Sequence, residues 1–178
     1  MGNVIAFNDI VSVADDSFSM SNGLTDVFID YLLLSGSRLA KTESEKRMVV
    51  FLAEKQQTKV GMGNVGFDIV EMPWTSDTFE TDKTFVLEMI HHARALTSEK
   101  RVWEKMGYEP GQKQLKYSLD SFEALIKRMT INDVDEDNYR EWISAAEKDD
   151  PINLGFPRCT NHDVLLCLFG CKLCNDGR

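Results

Sequence analysis

The sequence predicts a mainly α fold: a single compact domain of about five or six helices. It adds a minor β hairpin or strand element near residues 61 to 73 and a short Cys-rich helix at the C-terminal end. Three observations lead there. Apolar residues recur at spacings of three and four in one segment after another; the one stretch that breaks the pattern is rich in glycine and stops at Pro73; and all four cysteines fall within the last twenty residues. A chain of 178 residues with 43% apolar content can bury about two-thirds of the surface its unfolded form exposes, so one core suffices. Residues 1–178 therefore read as one globular unit, with 151–178 as a Cys-rich tail packed on it.

Strands are expected at Val4 to Phe7 and Ile10 to Val13, closed by the Asn22-Gly23 turn signal. From Thr25 to Leu39 the positions Val27, Phe28, Tyr31, Leu32 and Leu34 repeat at helical spacing, with Thr25 as the expected cap. A second helix opens at Ser44, carries Met48, Val49, Phe51 and Leu52, and ends near Gln57. Gly61 to Met72 suits an extended segment, which Pro73 terminates. Several hydroxyl residues between Thr75 and Thr81 can cap the next helix, whose stripe is Phe85, Val86, Met89, Ile90, Ala93 and Leu96. A short helix over Glu99 to Met106 is broken by Gly107 to Gly111, and a longer one follows through Leu115, Leu119, Phe122, Leu125 and Ile126. Asn132 or Asp133 is expected to cap the next, which turns Tyr139, Trp142, Ile143 and Ala146 inward and ends at Asp149-Asp150-Pro151.

Composition excludes some functions and suggests another. Apolar runs are far shorter than the roughly 20 residues that cross a bilayer, and the N-terminus has neither a signal core nor a myristoylation pattern. A cytoplasmic protein without membrane contact is expected, with reduced thiols. A net charge of −9 argues against broad nucleic-acid binding, which needs a basic surface. The charge is uneven: residues 131–150 hold eight acids against Arg140 and Lys148, whereas residues 94–128 hold eight bases against five acids. The two stretches could face each other, or the acidic one could dock a basic protein. The leading expectation is accordingly a non-enzymatic acidic binding protein that neutralises a basic partner, in the manner of a toxin-immunity protein or an inhibitor of a nucleic-acid-acting enzyme. Asp133, Asp135, Glu136, Asp137 and Glu141 are its candidate partner-binding residues. A small metal-dependent enzyme or zinc-stabilised regulatory protein is the alternative, and a structural module is a third reading.

The catalytic motifs are incomplete. Gly61 to Gly66 spells GxGxxG, but a helical segment precedes it and an extended one follows, which reads as a turn and not as a dinucleotide loop. Glu88 and His91 form one Glu-x-x-His, whereas di-iron sites need two. Asp133-Val-Asp135-Glu-Asp137 begins like a calcium loop but has Asn138 where glycine and Ser144 where the bidentate glutamate belong. No serine sits in a nucleophile elbow.

The tail carries the remaining chemistry. Cys159-x2-His162 and Cys171-x2-Cys174 form a soft ligand set suited to zinc, with Cys167 as a substitute donor. Against it, Asp163 to Phe169 reads as a helix capped by Asn161 and ended by Gly170, about 10 Å long, which would hold the half-sites apart. On that ground the sequence favours ordinary thiols and no cofactor, with zinc as the alternative.

Overall fold

The structure, a computed structural model, describes residues 3–7, 16–57, 62–63 and 66–177. The element order is β1 (Asn3–Ala6), β2 (Ser17–Met20), α1 (Asn22–Leu39), α2 (Glu43–Glu54), β3 (Gln56–Gln57), β4 (Met62–Gly63), β5 (Gly66–Asp68), α3 (Phe79–Leu96), α4 (Lys100–Met106), α5 (Gln112–Arg128), α6 (Glu136–Ser144) and α7 (Lys172–Asn175). The mainly helical class and the minor β element are as expected. The predicted strand at Ile10 to Val13 lies outside the described residues.

α1 is the central helix, and its sequence says why. Every residue from Phe28 to Ser37 is buried, so α2, α3 and α5 can all pack against it. Its N-cap is Ser21, not Thr25: the Leu24 N–H donates to Ser21 Oγ at 3.3 Å, while the Thr25 hydroxyl donates to the Ser21 carbonyl at 2.9 Å. α2 begins with a capping box in which Thr42 and Glu45 satisfy each other's backbone N–H groups. Asp82, near the start of α3, accepts from Ser44 at 2.5 Å and from Thr78 at 2.6 Å, which pins the first turns of α2 and α3 together.

Two glycines permit close approach. Gly36 faces α2 and α3, where an added Cβ would stand 2.5 Å from Val49 Cγ2 and 2.7 Å from Met89 Sδ. Gly66, with φ of 120°, lies where a Cβ would meet the Val4 carbonyl oxygen at 1.7 Å. It is thereby the residue that lets β5 run parallel beside β1, in a sheet ordered β2-β1-β5. The last glycine of the GxGxxG letters thus has a packing explanation. Gly61, Asn64 and Val65 of that motif lie outside the described residues. The sheet rests on α5 through the edge-to-face pair of Phe67 with Phe122 at 6.3 Å, and α1 meets α5 through Phe28 and Phe122 at 5.5 Å.

α6 starts later than expected. Ile131 to Asp133 form a 3-10 turn closed by Thr130 and Asp133, and Asp135 caps the helix itself. Trp142 is half-buried against Phe51, with centroids 5.8 Å apart. Among the described residues no helix is long and apolar enough to cross a membrane.

Candidate metal centre

The predicted helix at 163–169 is not formed, and its absence changes the reading of the tail. The segment is instead two successive tight turns. In the first, the Cys159 N–H donates to the Val164 carbonyl at 2.8 Å and the Asp163 N–H to the Cys159 carbonyl at 2.8 Å, with Arg158 bridged to Leu165. Asp163 takes φ of 54°, a left-handed conformation that aspartate tolerates better than most residues, and this reverses the chain behind His162. In the second, Cys167 and Gly170 exchange backbone hydrogen bonds at 3.0 and 2.8 Å, with Gly170 at φ of 84°. The chain then enters α7, whose N-cap is Cys171 and whose body carries Cys174.

This path folds the two half-sites onto each other. Cys159, His162, Cys171 and Cys174 place one donor atom each so that all lie within 4.8 Å of one another. His162 Nδ1 is 3.7 Å from Cys159 Sγ, 3.6 Å from Cys171 Sγ and 3.4 Å from Cys174 Sγ, and Cys159 Sγ is 3.7 Å from Cys174 Sγ. Tetrahedral zinc, with bonds of about 2.3 Å to sulfur and about 2.0 Å to nitrogen, sets donors about 3.8 Å apart between sulfurs and about 3.6 Å between sulfur and nitrogen. Four of the six spacings match that tetrahedron and all six lie within 4.8 Å, so these residues could hold a metal ion such as zinc.

The electrostatics of the cluster are those of crowded thiols. Burial acts to raise the Cys159 thiol, but the backbone N–H groups of His162 and Asn161 and the neighbouring side chains stabilise its thiolate and bring it down to about 6. Cys171 is pushed up to about 12, first by burial and then by the adjoining thiols Cys159 and Cys174. Several thiolates this close oppose one another's ionisation, and a divalent cation among them reverses that balance.

The candidate centre is tied to the helical body. Arg158 donates to the Ser37 carbonyl at 2.8 Å and pairs with Asp163 at 2.7 Å; the Leu165 N–H donates to Ser37 Oγ at 3.0 Å; and Lys105 Nζ donates to the His162 carbonyl at 2.8 Å. Below it, the fully buried Lys172 reaches Asp30 at 2.9 Å, Asp176 at 2.5 Å and Asp26 at 3.5 Å. Val164, Leu165, Cys167 and Leu173 join the core.

The other candidates fall elsewhere. Cys167 is buried, donates to the Gly170 carbonyl at 3.3 Å and is no member of the donor cluster; burial pushes its thiol up to about 12. Glu88 and His91 are exposed along an open groove of about 500 Å³ and belong to no donor group among the described residues. His92 is half-buried, with Nδ1 3.0 Å from Ser35 Oγ. Of the acidic residues, Asp133 closes the turn with Thr130, Asp135 caps α6, Glu136 accepts from the Ser76 N–H at 2.8 Å, and Arg140 bonds both Glu136 and Asp137. Glu141 is exposed, as are Glu147 and Asp149. No sequence signal announces the contacts made by Ser37, Glu54 and Lys105 to the tail, because each joins positions more than fifty residues apart. Comparison with known protein families, curated proteins and solved structures gives no match to this chain.

Proposed function

We propose that this chain is a zinc-stabilised, non-enzymatic binding protein, in which the metal locks residues 157–177 onto the helical body. The observation that carries the reading is the donor set itself: four protein donors within 4.8 Å of one another would fill a tetrahedral shell and leave no open position for water or substrate, as in structural zinc sites. Cys159, His162, Cys171 and Cys174 would hold the ion, which would supply cross-linking and charge neutralisation. Limited proteolysis with and without a chelator tests this. Cleavage within 157–177 that appears only after chelation supports the lock; the same protection in both samples rejects it.

The acidic face is the surface we assign to a basic protein partner. The observation favouring it is that Glu141, Glu147 and Asp149 are exposed on or just after α6, beside acids already engaged in caps and pairs. Glu141→Lys with Glu147→Lys is the informative variant, since reversing Asp133 or Asp135 would also remove a cap. Loss of a co-purifying basic protein in that variant, together with its salt sensitivity, supports the assignment. Unchanged capture rejects it.

A further inference from the structure

A cationic cleft lies beside the candidate metal centre, in a protein whose overall charge would not suggest it. The C-terminal end of α1 and one face of α4 enclose a cleft of about 300 Å³ lined by Leu34, Arg38, Glu99, Arg101, Val102 and Lys105. Leu34 and Val102 are buried and form an apolar floor, while the four charged side chains are exposed around it. Three cations therefore face one carboxylate, in a chain of net charge −9.

What singles out this cleft is which cations it gathers. Arg94, Arg128, Arg140 and Arg158 each pair with a carboxylate, and Arg47 lies over the Tyr139 ring at 5.2 Å. Arg38 and Arg101 are the two described arginines with no ion pair, hydrogen bond or ring contact among the described residues, and both line the same cleft. Lys105 stands one helical turn from Arg101. It gives one N–H to the His162 carbonyl, which fixes its ammonium and leaves two donors.

We propose that this cleft binds a phosphate monoester, with the phosphoryl group between Arg38, Arg101 and Lys105 and a hydroxyl of the alcohol portion against Glu99. Guanidinium groups match phosphoryl oxygens in forked pairs and the lysine adds a compact charge. The net charge of the lining balances a phosphate dianion. Glu99 repels a bare phosphate but accepts from a hydroxyl, so a sugar phosphate suits the lining better than inorganic phosphate.

Isothermal titration of the metal-loaded protein at low ionic strength tests the proposal, with ribose 5-phosphate, inorganic phosphate and ribose as probes. Saturable one-to-one binding of ribose 5-phosphate is expected, weaker binding of inorganic phosphate and none of ribose. Arg38→Gln and Arg101→Gln should each weaken it by about tenfold or more, because each removes a charge-assisted pair. Glu99→Gln should erase the preference over inorganic phosphate, and Arg140→Gln on α6 should change nothing. Absence of saturable binding overturns the proposal, as does equal binding by wild type and both arginine variants. None of these side chains is a metal donor, so such a failure would leave the metal assignment standing.

Discussion

The carboxylate of Glu54 accepts a hydrogen bond from Trp142 Nε1 at 2.9 Å, and its other oxygen accepts from the Leu168 N–H at 3.3 Å. One half-buried side chain at the end of α2 thus joins α6 to the second turn of the Cys-rich segment. Burial raises the Glu54 carboxyl above the usual range, and the bonds from Trp142 and Leu168 only partly offset it.

The sign of its pH effect follows from linkage. A carboxyl raised in the folded state binds its proton more tightly there than in the unfolded chain, so its contribution is most favourable below the ordinary carboxylate pKa and declines as pH rises through the interval above it. The stability difference between wild type and Glu54→Gln, measured by urea unfolding from about pH 4 to about pH 7, should therefore shift against the wild type as pH rises. A difference independent of pH would contradict this.

Lys172 is fully buried among Asp26, Asp30 and Asp176. Lys172→Met keeps the bulk and removes the cation shared by three carboxylates, at an expected cost of about 3–5 kcal/mol. Adding Asp30→Asn should recover part of the loss. Urea unfolding of the two variants measures both effects, and a single-variant loss below about 1 kcal/mol would show that the pairs do not hold α7 to α1.

Cys167→Ala separates packing from ligation. Its sulfur bonds the Gly170 carbonyl and lies outside the donor cluster. The variant should lose about 1–2 kcal/mol and keep its full complement of metal, read by elemental analysis. Loss of metal would put Cys167 among the ligands.

Gly36→Ala is expected to destabilise by about 1–3 kcal/mol, although alanine is the better helix former by about 1 kcal/mol. The added methyl group would press on Val49 and Met89, side chains that hold α1 to α2 and α3. A raised midpoint of thermal unfolding would mean that these helices separate easily.

The helical body was legible because its stripes are long: Phe85 to Leu96 can be satisfied only by a helix with one buried face. The site was half legible. Residue types and spacing marked Cys159, His162, Cys171 and Cys174 as a ligand set, but the intervening Val164-Leu-Leu-Cys-Leu-Phe169 is a short apolar run whose period cannot distinguish a helix from extended turns. Left-handed backbone at Asp163 and Gly170 decides for turns, and only Gly170 advertises it. Ser17 to Met20 is not legible for a different reason: four residues alternate too briefly to stand out. The acidic stretch was conspicuous by composition. Its engagement in caps and an Arg140 pair depends on where α6 begins: the sequence points to Asn132 or Asp133 as the cap, whereas Asp135 holds that place.

The most direct measurement is the metal content of protein purified without added metal, compared with that of Cys171→Ser and Cys167→Ser. One zinc per chain in the wild type and in Cys167→Ser, and its loss in Cys171→Ser, is the expected result. Wild-type protein free of metal, or Cys171→Ser that retains a full equivalent, would contradict the assignment of Cys159, His162, Cys171 and Cys174 as a structural zinc site.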